Sequence, residues 1–480
     1  FHLVRDYHYR RALRVTEQLF RPHRILRPIS FPDLRFYPWS LPVSAEAPFT
    51  IQKKWQDKIR EKQRDGEIND GKLTFHNLYN EIFELNRILI HQIKDGEPGF
   101  WDENDNPKPY WFTTLHTRAH LVKADDEDKL RAVFGVPKLL LMAENMFIWN
   151  IQKEYLNGTV PSPMLWGFET FRAGWMKLKD RLREGTNNTF ISTDWSGFDR
   201  FALFDVIDDV HDIWRRWFTF DEGYEPTMST SNPPGTRLGY PKTYTSPERL
   251  ERLWRWMTWS VKHTPIRGFS GQMYQWQFNG IASGYQQTQL LDSFVNCIMV
   301  LTVLSSLGVN IESEDFRIMV QGDDSVCGMP ERIFQRYGPK FLDMMAREAK
   351  DRFNANLSPE KTTYSDDLNG IEVLSYQNRS GMATRDPAEL LAHLLYPERT
   401  RTNSETASAC VGIAYASMGQ SRQVYDACKD AFDFLTKELK VEPNLKWLQE
   451  WMKLRGRPDE WKEINKIRFP TYEETHAQNF

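Results

Sequence analysis

Apolar residues recur along this chain with two periods. Phe201, Phe204, Ile207, Val210, Trp214 and Trp217 fall three or four apart and predict a helix, preceded by a short strand over 190–193. Residues 316–329, FRIMVQGDDSVCGM, place Gly322-Asp323-Asp324 between two short apolar runs and predict a strand–turn–strand hairpin. Residues 280–296 open as a glycine loop and continue as a helix, with Leu290, Leu291, Phe294, Val295 and Ile298 on its apolar faces. From Ser293 to Ile311 the chain is uncharged and long enough to span a bilayer. Lipid would tolerate Asn296, Thr302, Ser305, Ser306, Gly308 and Asn310 poorly, so a buried helix and turn are expected. Trp55 and Ile59, four apart among Lys and Arg, predict an exposed amphipathic helix ending near Gly66. Residues 31–50, rich in Pro and aromatics, predict an extended segment; 226–247, rich in Pro, Gly, Ser and Thr, predict a long loop. Residues 387–480 read as mostly helical, opening at Pro387. Further helices are expected around 405–418, 421–440, 444–453 and 458–465, with Trp447, Trp451 and Trp461 as packing residues.

Composition narrows the class. In 480 residues, 62 Lys+Arg stand against 65 Asp+Glu, with 40% hydrophobic and 14% aromatic residues, which excludes a disordered or collagen-like chain and allows several domains. Cys297, Cys327, Cys410 and Cys428 form no CxxC pair, so neither a disulfide framework nor a zinc site is indicated, and a reducing compartment is expected. The near-neutral sum does not exclude nucleic acid. Arg5, Arg10, Arg11, Arg14, Arg21, Arg24 and Arg27 crowd the start against only Asp6 and Glu17, as a phosphate-binding patch or as a solvated face. No signal peptide opens the chain and no membrane partner is expected; a soluble, intracellular protein fits. Because the first residue is Phe1 and not Met, we expect native residues before it. Asp102-x-Asn104-x-Asn106 begins like a calcium loop, but Pro107 stands where Gly is needed and Thr113 where the bidentate Glu should be.

Candidate chemistry lies in carboxylates. Asp323 and Asp324 share a tight turn between apolar strands, where they repel each other and resist desolvation; a divalent cation removes that conflict, though an ordinary surface turn has the same tripeptide. Asp194, at the end of the strand over 190–193, would face Asp323 from a neighbouring strand, and Asp199 follows five residues on. Carboxylates from two strands can hold two cations ~3.5–4 Å apart, and oxygen ligands without a His/Cys cluster favour Mg²⁺ or Mn²⁺. Thr288, Asp292 and Asn296 lie at i, i+4 and i+8, a polar stripe on an apolar helix that faces either a site or a buried network.

In order along the chain, Asp194-x4-Asp199, Ser283-Gly284-x3-Thr288-x3-Asp292-Ser-x2-Asn296 and Gly322-Asp323-Asp324 resemble palm motifs A, B and C of viral RNA-dependent RNA polymerases. Asp292, where most such enzymes have Asn, together with Leu34-Arg-Phe-Tyr-Pro-Trp39, Arg131-Ala-Val-Phe-Gly-Val-Pro137 and Leu395-Tyr-Pro-Glu-Arg399, is similar to the partitiviruses, double-stranded RNA viruses that include plant cryptic viruses. Picobirnavirus polymerases are the nearest competitor. The resemblance covers roughly residues 30–400. It implies an α+β right-hand fold with fingers, a palm built on a small antiparallel sheet, and a helical thumb. The divisions would be 1–188 (N-terminal segment and fingers), 189–219 (palm), 220–267 (fingers insertion), 268–386 (palm) and 387–480 (thumb).

The same resemblance implies roles. Asp194 and Asp323 match the principal metal ligands and Asp324 a secondary one; Asp199, Ser283 and Asp292 match positions that sense the incoming ribose 2′-hydroxyl, with Gly284, Thr288 and Asn296 in the same nucleotide-binding motif. Lys123, Lys129 and Arg131 resemble the basic finger motif that grips the triphosphate, although Asp125, Asp126, Glu127 and Asp128 interrupt it; the run reads equally as a solvated charged loop. Lys361 resembles the lysine that protonates departing pyrophosphate, against the plainer reading of a surface lysine, and residues 371–385 the hairpin that supports the primer end, turning near Asn378–Gly381. Expected partners are RNA template and product, NTPs and a capsid protein, with the enzyme inside the virion in the host cytoplasm. A reverse transcriptase would usually show Tyr-x-Asp-Asp and an aromatic residue near Asp199 that excludes the 2′-hydroxyl; this chain has Val-Gln-Gly-Asp-Asp and a polar Asp199. A non-catalytic capsid-associated RNA-binding protein is the third reading; loss of Asp194 or Asp323 would have favoured it, and both are present.

Overall fold

The computed structural model describes residues 1–126, 129–157, 161–166, 173–226, 246–444, 446 and 468–480. Helix α1 (Tyr7–Phe20), a 3₁₀ turn (Phe31–Phe36), α2 (Lys53–Arg64) and α3 (Tyr79–Asp95) precede the hairpin β1 (Thr113–His120) and β2 (Lys129–Gly135). Then come α4 (Lys138–Asn145), α5 (Ile148–Leu156), α6 (Gly174–Arg181), β3 (Thr189–Ser192), α7 (Phe198–Phe201) and α8 (Phe204–Arg216). After α9 (Pro247–His263), β4 (Ile266–Arg267) and β5 (Met273–Tyr274) lies the long α10 (Thr288–Ser306). The hairpin β6 (Arg317–Gln321) and β7 (Asp324–Met329), then α11 (Ile333–Tyr337), α12 (Lys340–Phe353), β8 (Thr363–Ser365), β9 (Glu372–Val373), β10 (Tyr376–Arg379) and β11 (Met382–Thr384) follow. Helices α13 (Pro387–Leu395), α14 (Asn403–Ala416), α15 (Arg422–Asp433) and α16 (Tyr472–His476) end the chain.

The sheet that positions the site has the order β6-β7-β3-β8 and is antiparallel throughout. Both faces are apolar and alternate with the strand period: Phe190, Met319 and Val326 enter one hydrophobic cluster with Trp175 and Tyr376, while Ile191, Ile318, Val320 and Cys327 enter the main core. Helix α10 runs through that core. It is long and apolar enough to cross a membrane by length and composition, yet its residues are buried, packed by α1, α8, α12 and β6, as the polar residues within it led us to expect. Asp6 caps α1 by accepting from the Tyr9 N–H at 3.1 Å. A second sheet has the order β2-β1-β4-β5, a third β11-β10-β9, and α13, α14 and α15 enclose a separate cluster around Leu390, Val411 and Val424.

Several expectations change in the folded chain. The segment 31–50 is not wholly extended, because Pro32 starts a 3₁₀ turn whose i, i+3 residues Phe31 and Leu34 are both buried. The helix expected from residue 201 is broken at Ala202–Leu203, where the backbone bonds to residues 278–280 instead: Phe204 N–H to Phe278 O at 2.9 Å and Gly280 N–H to Ala202 O at 2.9 Å. Much of the N-terminal arginine patch is neutralised by distant acids: Arg5 pairs with Asp209, Arg11 and Arg14 with Glu312, and Arg24 and Arg27 with Glu225. Asp102 forms a local turn, accepting from the Asn104 and Asn106 N–H groups at 2.8 Å each. The helix at Trp55 and Ile59 forms as α2, and the 371–385 hairpin turns at Ser380–Gly381, both at positive φ (53° and 91°). Most of the 226–247 loop, and Trp447, Trp451 and Trp461 with their two expected helices, lie outside the described residues.

Candidate active site

Register alone brings the acids together. In the β3–β7 pairing Ile191 faces Cys327, so continuing three residues sets Asp194 level with Asp324. On the other side the β3–β8 pairing ends at Ser192–Thr363 and shifts, so that Trp195 faces Leu357, and Lys361 lies in the turn that leads into β8, near enough for its charge to act on Asp194. The backbone past β3 is tied to that side: Asp194 N–H donates to Thr362 Oγ1 at 3.2 Å, and Ser358 N–H to Asp194 O at 2.9 Å. Gln321 pairs with Asp324 across a two-residue turn, Gly322-Asp323, and Gly322 takes φ 58°, which a residue with a Cβ reaches only with strain.

Uncharged polar groups hold this turn from beneath. Asn296 Nδ2 donates to Gly322 O at 3.0 Å and Asp324 O at 3.1 Å, and its Oδ1 accepts from Trp195 Nε1 at 2.8 Å. Ser293 Oγ accepts from Gly322 N–H at 2.8 Å, and the Thr193 and Ser325 hydroxyls meet at 2.6 Å. Thr288 Oγ1 donates to Ala282 O at 2.7 Å, closing the glycine loop onto its helix. Thr288 and Asn296 were expected to face a nucleotide; both are buried, with their polar atoms bonded inside the protein. The helical stripe is real, but only Asp292 on it faces the other acids.

The carboxyls repel one another. Burial, then Asp323, Asp194 and Glu372, push Asp324 up to about 7. Asp323, exposed at the turn tip, is raised by desolvation of its carboxyl and then by Asp199 and Asp194. Asp194 is raised by burial against the opposing charge of Lys361. Asp292 is pushed well above the carboxylate range by burial and by Asp199, whose carboxyl it meets within hydrogen-bond reach; its Oδ1 is otherwise buried without a partner. Glu372 on β9, which the sequence did not single out, is raised by burial and then by Asp194. Nothing in its local pattern marks it, because it reaches the site from a different sheet.

The remaining expected residues sit on the rim. Ser283 is exposed on the loop, whose backbone is tied to Asp199 by Ile281 N–H donating to its carbonyl at 2.8 Å. Gly284 lies against β2, and a Cβ there would be 2.1 Å from Phe134 O. Lys123, Lys129 and Arg131 are exposed on the β1–β2 hairpin, in a sheet separate from the acids, with Arg131 opposite Arg118 and Lys129 opposite His120. Cross-strand cations repel unless an anion joins them, so this hairpin suits a phosphate-bearing ligand.

An antiparallel sheet presenting acids from two neighbouring elements, with a glycine loop that packs against a separate basic hairpin, is the palm-and-fingers arrangement of a template-directed nucleotide polymerase. A family model for viral RNA-dependent RNA polymerase matches residues 76–435. The RNA-directed RNA polymerase of White clover cryptic virus 1 is 32% identical over 522 residues, covering 100% of this chain and 82% of that protein. That of Atkinsonella hypoxylon virus is 26% identical, covering 87% and 65%. In structure, the Sicinivirus 3Dpol RNA-dependent RNA polymerase superposes with a TM-score of 0.60 over 94% of this chain and 86% of that one at 13% identity, a likeness of fold. The chain belongs to the viral RNA-dependent RNA polymerase family, with relatives of the partitivirus type that its motifs resemble. It is an RNA-directed RNA polymerase, a nucleotidyltransferase with the α+β right-hand fold.

Proposed function

We propose that this polymerase replicates and transcribes a double-stranded RNA genome by two-metal nucleotidyl transfer, with Asp194 and Asp323 as principal ligands and Asp324 as a secondary one. The observation that carries this reading is Asp194 level with Asp324 in the continued β3–β7 register, with Asp323 at the adjoining turn and Lys361 near enough for its charge to act on Asp194. The donor set fits Mg²⁺ or Mn²⁺: it is all oxygen, and its carboxyls are held above their usual range by burial and then by one another. Among the described residues no three such ligands already converge. Mg²⁺ is usually held by one or two carboxylates plus substrate phosphates and water. Bound cations would activate the primer 3′-hydroxyl and stabilise the departing pyrophosphate.

The chain's own groups orient and protonate. Lys361, beside Asp194, donates a proton to the leaving pyrophosphate. Asp199 and Asp292 bind the ribose 2′-hydroxyl, which both donates and accepts, with Ser283 on the glycine loop before α10. Lys123, Lys129 and Arg131 steer the triphosphate. The fingers, palm and thumb take the divisions given above, and the family resemblance supports a capsid protein as partner and the virion interior as the place of work.

The test incubates the protein with RNA template, four NTPs and Mg²⁺. We expect labelled RNA product from the native chain and nearly none from folded Asp194→Ala or Asp323→Ala, with RNA binding retained because phosphate contacts come from Lys and Arg elsewhere. A folded Asp323→Ala protein extending RNA at near-native rate sinks the assignment. Product made equally well from dNTPs would favour the reverse-transcriptase reading.

A further inference from the structure

A second acid–amide cluster lies beneath the glycine loop and takes no part in the chemistry above. Glu144, near the end of α4, is buried. Its Oε2 accepts from Gln286 N–H at 3.1 Å; its Oε1 accepts from Gln287 N–H at 3.2 Å and Gln287 Nε2 at 2.8 Å. Gln287 is the residue that caps the start of α10, so the carboxylate also meets the positive end of that helix. Gln287 Oε1 lies 2.7 Å from His211 Nε2 on α8, the helix that follows Asp199. Because Gln287 Nε2 already donates to Glu144, its oxygen must accept, which assigns the proton to His211 Nε2. Three neighbours complete the knot: Gln152 donates to Gln286 O at 3.1 Å, Tyr37 donates to Gln286 Oε1 at 2.8 Å, and Tyr285 donates to Ser260 O at 3.2 Å.

Residues 285–287 are therefore pinned from four helices and from the segment at Tyr37. They stand between Ser283-Gly284 and Thr288, and one turn further along α10 is Asp292. Burial pushes the Glu144 carboxyl up to about 8 against the pull of these N–H donors, so its buried acceptor oxygens depend on the loop for their partners. An amide, which has an acceptor on one side only, cannot satisfy all three donors. We propose that Glu144 is a positioning residue for ribose selection: its buried carboxylate fixes residues 285–287, and so sets Ser283 and Asp292 in register with Asp199. This rests on the reading of Asp199, Ser283 and Asp292 as the groups that sense the 2′-hydroxyl.

Glu144→Gln keeps the shape but turns one amide N–H toward a backbone N–H. We expect the NTP KM to rise and the NTP-over-dNTP preference to shrink, each by about tenfold, the effect of one misplaced hydrogen bond, while kcat changes less and RNA affinity is unchanged. The exchanged double variant, Glu144→Gln with Gln287→Glu, restores one acid and one amide and keeps an acceptor for His211. One backbone N–H still meets the amide at 144, so the double variant should recover part of the lost preference, which general damage to the core would not. Single-nucleotide addition with each NTP and its dNTP measures this, beside Asp199→Ala. If Glu144→Gln does not fold, Tyr37→Phe removes one hydroxyl from the same knot without touching the buried charge, and the KM should still rise. A folded Glu144→Gln with native KM and native preference overturns the proposal, as does an unchanged KM in Tyr37→Phe where that variant stands in. If Asp199→Ala keeps the preference while Glu144→Gln loses it, the positioning role stands and the assignment of Asp199 falls.

Discussion

Gly284 separates geometry from stability. A methyl group there would sit 2.1 Å from Phe134 O, 3.1 Å from Phe134 C and 3.0 Å from Val136 Cγ2. An ordinary carbon–oxygen contact needs about 1 Å more, and neither side yields easily. Phe134 is locked into the β1–β2 hairpin opposite Leu115, while the loop is held by the Ile281–Asp199 and Thr288–Ala282 bonds. Either the basic hairpin moves away from the acids or Ser283 moves away from Asp199. A displacement of about 1 Å at a substrate-positioning element costs on the order of 10²-fold in rate, or about 2.7 kcal/mol of transition-state stabilisation. Gly284→Ala should therefore lower kcat/KM for nucleotide addition about 10²-fold while the protein stays folded. The control is Gly308→Ala, just past the end of α10, where φ is +94° and nothing lies within 4 Å of a new Cβ. It should cost about 1–2 kcal/mol of stability through left-handed backbone strain and leave nucleotide addition unchanged. Rapid-quench addition on a preformed primer–template, with melting curves for both variants, decides it. Near-native addition by Gly284→Ala would refute the coupling of hairpin to loop.

Three further outcomes are expected. Lys361→Leu should slow single-turnover addition with little change in nucleotide affinity, as for a group acting in the transition state; an unchanged rate makes Lys361 a surface charge. Asp199→Ala should shrink the NTP-over-dNTP preference by about tenfold, because a site built to bond a hydroxyl leaves buried polar groups unpaired without it, whereas Asp292→Asn should keep most activity; an unaltered ratio of kcat/KM values in Asp199→Ala means ribose is read elsewhere. Because Asp324 is raised to about 7, it holds a proton below that pH and a cation must displace it. The Mg²⁺ concentration for half-maximal rate should rise by up to about tenfold per pH unit below pH 7 and level off above it, and a value constant from about pH 6 to 8 would refute the competition.

The parts of the site legible in the sequence are those whose physical conflict is local. Two acids on a turn between apolar runs and one at a strand end announce themselves, because the residues that cannot solvate them are their neighbours in the chain. The i, i+4, i+8 stripe on α10 is also correct as a face, but spacing does not say what each side chain meets. Asn296 lies two turns from Thr288, under the Gly322–Asp323 turn, a contact 26 residues away in sequence from Gly322. Glu372 on β9 and Lys361 in the turn before β8 act on Asp194 from far along the chain, and only the folded protein brings them together. The N-terminal arginines look unpaired because Asp209, Glu225 and Glu312 are far along the chain. Glu144 did carry a signal: it is the lone acid in PKLLLMAENMFIW, a run too apolar to leave a charge without partners.

The two buried acid clusters answer the same electrostatic problem in opposite ways, and the contrast explains why only one of them is open to ligands. Glu144 is pushed up to about 8 by burial, yet both of its oxygens accept from N–H groups of a single loop, so its acceptor capacity is spent on holding that loop. The acids around the Gly322–Asp323 turn have the reverse arrangement. The bonds from Asn296, Ser293 and Trp195 go to the backbone of the turn and to one another, and leave the carboxylates themselves without donors from that network. A flexible turn would relieve the repulsion by moving the acids apart. This one is bonded from beneath and paired on both sides, so that route is closed. The repulsion is then lowered by taking up protons, as the upward shift of Asp324 shows, or by admitting cations. A scaffold that fixes the backbone and leaves the charges unsatisfied thus converts folding energy into affinity for whatever positive charge enters, and keeps that charge in register with the nucleotide loop through α10.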